Sequence, residues 1–308
     1  MIVEVGSLNV DFIVHNRRFP KPGETVIGKS VTVMAGGKGA NQIAAAARLG
    51  AETRFLSKVG ELDQYNSMLM SDLAWAGVPT NTIGTVSDLY TGSAYCMICE
   101  DSQNCIVIIE GANEGVTADF VESNRDLLSK SSIVMCEFSI NQEACDYAMK
   151  LGKELGVTTL CNPAPFRKVD DSFYKNVDIV TPNEVEAAEA CGFEITDEES
   201  AARGCEFFHQ LGVEKVIITM GKLGAFCSDG SKQEMIESCE VNACDSSGAG
   251  DCFNGAFAYA FDKGYDFFEA ARFANAAAAA SVQKLGTMRS MPCLEEVEAI
   301  YGKEMQRS

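Results

Sequence analysis

Apolar and polar positions follow two alternating rhythms along the chain. Short apolar runs of β type occur at Ile2–Val5, Thr53–Val59, Ile133–Glu137, Thr158–Cys161, Ile179–Thr181 and Lys215–Met220. Near-continuous runs of this kind read as strands buried on both faces. Helical periodicity fills the gaps, at Asn41–Leu49, Gln142–Leu155, Ala201–Leu211 and Cys252–Phe261. Gly50, Gly156, Gly212 and Gly264 follow these runs, where helix C-caps commonly place glycine. The alternation predicts a three-layer α/β fold, a mostly parallel central sheet with helices on both faces. No proline- or serine-rich linker divides it, so one domain over residues 1–308 is expected.

Two stretches break the rhythm. Residues 23–35 and 91–109 alternate without helical period, and predict antiparallel strands at Glu24–Ile27, Val31–Val33, Ala94–Ile98 and Cys105–Ile108. These form either a small flanking sheet with a role, a lid or a dimer surface over about 11–35 and 90–110, or a plain antiparallel extension.

Composition narrows the partners. Of 308 residues, 46% are hydrophobic and 22% charged, enough to bury a sizeable core. No apolar run approaches the roughly 20 residues of a membrane span, and Met1–Val5 reads as a strand rather than a cleavable signal. A cytoplasmic protein is expected. The 13 cysteines are scattered and odd in number, and with two histidines, His15 and His209, no zinc pattern can be drawn. Reduced thiols used as small apolar residues fit best. A net charge of −19 argues against nucleic acid and anionic membrane partners. It leaves ATP open, because backbone amides at helix N-termini and a divalent metal can hold a polyphosphate without many lysines.

Two motif matches mislead. Gly23–Ser30 satisfies the Walker A expression, but it follows Phe19-Pro20-Lys21-Pro22 and runs into β-type residues instead of opening a helix. Gly248-Ala249-Gly250 has Phe253 where a dinucleotide fingerprint needs its third glycine.

Four segments carry candidate chemistry. Asp245–Gly255 leads through two glycines into a helical run, so the amides of 248–251 would face a ligand above the helix N-terminus. Such a site suits a transferring phosphoryl group, with Asp251 placed to take the proton of an attacking hydroxyl. A helix-capping acid is the alternative reading of Asp251. Gly36-Gly37-Lys38-Gly39-Ala40-Asn41 lets a polar ligand approach the backbone, with Lys38 and Asn41 as hydrogen-bonding groups; a plain strand-to-helix turn reads equally well. Asn183 and Glu186 share a helix face and suit hydrated Mg²⁺ near phosphates, or simply a capping box. Ile217–Gly224 is a buried strand ending in a glycine-flanked turn, either a nucleotide-binding strand end or a hairpin.

In this order these segments, with Gly6–Asp11, Asn162–Pro165 and Phe273–Ala278, resemble the ribokinase-like (PfkB) family of carbohydrate kinases over nearly the whole chain. The resemblance implies transfer of the ATP γ-phosphate to the primary hydroxyl of a sugar, D-ribose first, with another sugar or a nucleoside as the alternative. A non-catalytic sugar sensor is the remoter one. It implies sugar-binding positions at Asn9, Asp11, Gly37, Lys38, Asn41 and Glu137, with Asp251 as base and Gly248, Ala249 and Gly250 as anion hole. Asn183, Glu186, Thr219, Gly221, Gly224 and Asn275 fall on the nucleotide side, Glu186 meeting Mg²⁺ through water. An activating K⁺ is implied at Asp245, Ser247, Lys284, Gly286 and Ser290, several through carbonyls, and a homodimer through the lid sheet. The chain departs from the family at Gly60–Asn66, Cys96, Glu110 and Thr287–Ser290.

Overall fold

The computed structural model describes residues 1–101 and 103–304. Ser102, within the expected lid stretch, and residues 305–308, within the expected 1–308 domain, lie outside them. The strands are β1 (Ile2–Val5), β2 (Asn9–Asn16), β3 (Ser30–Gly36), β4 (Thr53–Gly60), β5 (Ile83–Val86), β6 (Gly92–Cys99) and β7 (Asn104–Ile109). They continue with β8 (Ile133–Glu137), β9 (Thr158–Asn162), β10 (Ile179–Val180), β11 (Lys215–Thr219), β12 (Ala225–Ser228) and β13 (Gln233–Ile236).

Among the described residues nine strands form one sheet, ordered β13-β12-β11-β10-β9-β8-β1-β4-β5. Pairing is parallel from β5 to β11 and antiparallel across β11-β12-β13. The order reverses at β1, between β8 and β4, and open α/β sheets bind ligands at such a switch point beyond the strand carboxyl ends. Two apolar clusters cover the two faces. Ile2, Ile133, Met135 and Leu160 pack toward the helices Lys38–Arg48, Ala249–Asp262 and Phe267–Ser281 on one side. Val3, Val5, Val134 and Cys136 pack toward Gln142–Glu154 on the other. Alternate residues of one strand thus enter different cores, which is the period-two geometry of an extended chain.

A second sheet, ordered β3-β2-β6-β7, stands apart. β2 and β6 pair in parallel, while β3 and β7 run antiparallel to their neighbours. The strands expected at Val31–Val33, Ala94–Ile98 and Cys105–Ile108 are all present. Glu24–Ile27 is not a strand. Pro20, Pro22 and Gly23 (φ 79°) turn the chain away, Ile27 is 94% exposed, and the ladder begins only at Ser30. The Walker-like Gly23–Ser30 segment therefore leads into β3 and opens no helix. Cys96 and Cys99 have C-x-x-C spacing, but residues three apart on a strand face opposite sides, and neither forms a disulfide.

Helix starts also shift. Lys38 already belongs to the first helix, with Gly37 (φ 95°) as its N-cap, and Ala249 opens the later one after Gly248 (φ 75°). Both helices thus begin three residues earlier than periodicity suggests, because glycines and a polar residue hide the first turn from a hydrophobic pattern. No helix among the described residues is long and apolar enough to cross a membrane.

Candidate active site

The two early helix starts meet. Gly255, one turn beyond Asp251, has no room for a side chain. An added Cβ would lie 2.1 Å from the Gln42 carbonyl oxygen and 2.7 Å from Ala45 Cβ. This contact presses the Ala249–Asp262 helix onto Lys38–Arg48, where the small side chain of Ala45 and the backbone of Ala46 permit the approach. Asp251 then faces Asn41 and Gln42. Asn41 Nδ2 donates to Asp251 Oδ2 at 2.9 Å, and Gln42 Nε2 lies 3.4 Å from Oδ1. Gln42 also donates to Asn162 Oδ1 at 3.0 Å, and Asn162 to the Thr181 carbonyl at 2.7 Å. Asp251 is not a solvated helix-cap acid but an 8% exposed carboxyl at the floor of a cavity.

That cavity, of about 180 Å³, is lined by Lys38, Asn183, Glu186, Thr219, Ser246, Gly248, Ala249, Gly250, Asp251 and Asn254, among others. Burial raises the Asp251 carboxyl, and Lys38, Asn41 and Gln42 oppose it without cancelling it. Burial would lower the Lys38 ammonium, but Asp251, Glu186 and Glu137 outweigh it and raise it. A cation and a carboxyl thus face one polar cavity, each tuned by the other.

The glycine turn is largely as the sequence implies, with one change. Ala249 spends its amide on the Ser246 carbonyl at 3.2 Å. The first intrahelical bond is Cys252 to Gly248, which leaves the amides of Gly250 and Asp251 in the first turn without helical acceptors. Cys252 is no thiolate, since burial pushes its thiol up to about 12.

Asp11 approaches from β2 on the same side. An added Cβ on Gly36 would lie 1.9 Å from Asp11 Oδ2, so the carboxyl occupies the space that glycine leaves open. The Asp11 carboxyl makes no hydrogen bond within the described residues, and burial, with Asp251 nearby, raises it to about 7. Gly37 is equally constrained, with an added Cβ 2.7 Å from the Ser7 carbonyl oxygen. Asn9 accepts from Asn113 Nδ2 at 2.7 Å. Glu137 is fully buried and turned inward, Oε1 accepting from Ser7 N and Oε2 from Ser139 N, each at 2.6 Å.

On the far side the structure divides the nucleotide-side set. Asn183 and Glu186 do form a capping box, Asn183 Oδ1 accepting from Glu186 N at 2.8 Å and Glu186 Oε2 from Asn183 N at 2.9 Å. They nevertheless line the cavity with Thr219, so both readings of that pair apply. Burial raises the Glu186 carboxyl, against the Asn183 amide and Lys38. Gly221, Gly224 and Asn275 do not line the cavity: an added Cβ on Gly221 would lie 3.9 Å from Glu184 Oε1, while Gly224 and Asn275 lie around residues 236–238. β11 and β12 form the hairpin, and an added Cβ on Gly224 would meet the Ile236 carbonyl oxygen at 2.0 Å. Asn275 Nδ2 donates to the Ile236 and Glu237 carbonyls, at 3.2 and 2.9 Å.

Of the positions marked for a monovalent cation, Asp245, Ser247 and Gly286 come together. Asp245 accepts from both the Ser247 and Gly286 amides at 2.9 Å. Burial works to raise this carboxyl, but those amides hold it below the usual range. Lys284 turns its ammonium to Glu296 at 2.6 Å, and buried Ser290 donates to the Thr287 carbonyl at 2.7 Å. Sequence reasoning gave no role to Gln42, Asn113, Thr181 or Asn254. Thr181 Oγ1 and Asn254 Oδ1 are 2.5 Å apart, and Asn254 Nδ2 donates to the Gly250 carbonyl at 2.9 Å, bracing the glycine turn. Polar residues inside otherwise apolar helical runs were the available signal.

A helix N-terminus beside a buried carboxyl, beyond the carboxyl ends of the parallel strands β9, β10 and β11, suits phosphoryl transfer. The pfkB family of carbohydrate kinases matches residues 1–294. The chain belongs to that family and is a carbohydrate kinase. It is 38% identical to a ribokinase of Haemophilus influenzae, over 95% of each chain, and 37% identical to a ribokinase of Bacillus subtilis, over 97% and 98%. Its fold superposes on the Arabidopsis thaliana ribokinase complexed with ribose and ATP with a TM-score of 0.92, at 31% identity, over 97% and 98% of the two chains.

Proposed function

We propose that this enzyme phosphorylates D-ribose at its primary hydroxyl, using ATP. One observation carries the reading: Asp251 is held by Asn41 and Gln42 at the mouth of a glycine-capped helix N-terminus, opposite Lys38. Asp251 accepts the hydroxyl proton as the sugar oxygen bonds to the γ-phosphorus and the bond to the β-phosphate oxygen breaks. The first-turn amides of the Ala249–Asp262 helix, with the helix dipole, face the charge on the transferring group. Lys38 adds a positive charge on the same side.

Asn9, Asp11, Gly37, Asn41 and Glu137 take the sugar side, where carboxylates suit a polyol because each oxygen accepts hydroxyl hydrogens. Asn183, Glu186 and Thr219 take the phosphate side, with Gly221, Gly224 and Asn275 shaping the nucleotide end. Glu186, half-buried against the cavity with one oxygen free of the capping bond, fits a magnesium ion that keeps its water shell. Such an ion would neutralise phosphate charge. The ionised Asp245, tied to the 284–290 segment, fits a potassium ion beside the anion hole. The smaller sheet serves as a lid that excludes water. Its edge strand β7 exposes Ile106, Val107, Ile108 and Ile109 by 43–54%, which supports a homodimer through this sheet.

The test is ATP-dependent phosphorylation of ribose, deoxyribose, ketohexoses and nucleosides with Mg²⁺, with and without K⁺. Preference for ribose is expected. Preference for another acceptor would move specificity to the lid positions near Cys96 and Glu110, and no turnover on any acceptor would overturn the reading.

A further inference from the structure

Behind the glycine turn, residues 286–291 are tied to the body by an arginine to which the reaction above gives no task. This segment is helical only over Met288–Ser290. Met288 and Met291 are buried, and the Ser290 hydroxyl closes the turn on the Thr287 carbonyl at 2.7 Å. The Arg289 side chain leaves this core, 48% exposed, and reaches the Asn66–Ala76 helix. Its Nε donates to Asp72 Oδ1 at 3.1 Å, and Nη2 reaches the same oxygen. The guanidinium also lies over the Trp75 ring, 4.5 Å from its centroid. Arg48, the last residue of the Lys38–Arg48 helix, lies over that ring too, at 4.6 Å. One indole thus ties two helices to the 286–291 segment.

That segment backs the anion-binding turn. An added Cβ on Gly248 would lie 3.4 Å from Thr287 Cα and 3.6 Å from Met291 Cε, whereas one on Gly250 would meet nothing within 4 Å. The turn therefore has a packed side, supplied by residues 287 and 291, and an open side on the cavity. Two further polar ties hold the segment. The Gly286 amide donates to Asp245 Oδ2 at 2.9 Å, and Thr287 Oγ1 lies 3.4 Å from the Ala35 carbonyl oxygen. Burial of the two methionines is non-directional, so it sets how deep the segment sits rather than where it lies sideways. A planar guanidinium held by a carboxylate and a ring is directional. An isolated surface ion pair would fix little, but Asp72 is only 13% exposed and the ring supplies a second contact.

We propose that Arg289 is a positioning residue for phosphoryl transfer: clamped by Asp72 and Trp75, it holds residues 286–291 behind Gly248 and so fixes the first-turn amides against the transferring group. The inference rests on the reading of Gly248–Gly250 as the anion hole. Displaced amides lose stabilisation of the transition state more than of bound substrates, because charge develops there during transfer.

Steady-state kinetics test the clamp. Arg289→Ala should lower kcat about tenfold, less than outright loss of one such donor costs, while the KM values for sugar and ATP stay within about twofold. Asp72→Asn keeps the shape of the carboxyl without its charge and should give the same split. The double variant should lose no more than either single one, since both break one contact. An unchanged kcat in both single variants, or losses that multiply in the double variant, would overturn the proposal. So would a lowered melting temperature with unchanged kcat, which would leave the clamp a purely structural role. Should Arg289→Ala fail to fold, Asp72→Asn decides alone. Asp251→Asn separates the two ideas. Full turnover in that variant would sink the site on which the inference rests, whereas its expected loss beside an unaffected Arg289→Ala sinks the clamp alone.

Discussion

Asn41 and Asp251 are joined by a hydrogen bond of 2.9 Å across 210 residues of chain. Each belongs to the first turn of its own helix, and each helix is entered through a glycine with positive φ. The proposed base and the residue that holds it are therefore placed by two backbone turns, Gly37 and Gly248, and by the close contact at Gly255.

Asp251 must be ionised to accept a proton. Asp251→Asn should lower kcat by about 10²- to 10⁴-fold, with sugar affinity by calorimetry little changed. The pH dependence follows from the same contacts. Burial raises the Asp251 carboxyl, and Gln42 is one of the groups opposing it. Gln42→Leu should raise it further and move the acid limb of the kcat/KM profile to higher pH. A limb that stays in place would show that the 3.4 Å contact carries no weight.

Asp11 titrates near neutrality, at about 7, because burial and then Asp251 disfavour its charge. In the role proposed for it, Asp11 accepts sugar hydroxyls on both oxygens when ionised and loses acceptor capacity when protonated. The sugar KM should therefore rise as pH falls through about 7, and Asp11→Asn should flatten that dependence. The stability sign is opposite to that of a salt-bridged acid. The unfolded chain ionises above about pH 4 while the native one keeps its proton, so Asp11 lowers stability progressively from there to about pH 7. Thermal melts of wild type and Asp11→Asn across that range check it.

Glu186 has two tasks that substitution can separate. Glutamine also completes a capping box, so Glu186→Gln should melt within a degree or two of wild type while requiring severalfold more Mg²⁺ for half-maximal rate. Glu186→Ala should show the metal defect and lose about 1 kcal/mol as well. Equal Mg²⁺ titrations for wild type and both variants would leave only the cap.

Gly255→Ala should be costly although it adds one methyl. The added carbon would meet the Gln42 carbonyl oxygen at 2.1 Å, backbone that cannot yield locally. Overpacking of this kind costs about 1–3 kcal/mol, and here it should also part Asp251 from Asn41 and lower kcat. A denaturation midpoint and a rate both equal to wild type would refute the account.

The smaller sheet offers a test of assembly. Val107 is 50% exposed on the edge strand β7. Val107→Lys should convert a dimer to monomer in sedimentation velocity while leaving the secondary structure intact. A wild type that sediments as a monomer at micromolar concentration would rule the interface out.

Much of the fold was legible in the sequence for a simple reason. Buried parallel strands must be apolar on both faces, so β1, β4, β8, β9 and β11 announce themselves as runs, and the glycines after helices mark their ends. The chemistry-bearing turns at 36–41 and 245–251 were legible too, because glycine is needed wherever backbone must approach a ligand or adopt positive φ. What the local pattern lacked was the partnership between them. Glu24–Ile27 has strand composition but no neighbour to pair with, and it stays out of the sheet. Gln42 reads as an ordinary polar helix position until the Gly255 contact buries it against Asp251. Asn183 and Glu186 read as a cap and are one, yet the approach of the glycine turn also makes them cavity walls. Propensity and period are properties of neighbours in sequence, and the sequence determined the elements through them. Burial, pKa and catalytic pairing depend on neighbours in space, which only the packing of helices and strands far apart in the chain decided.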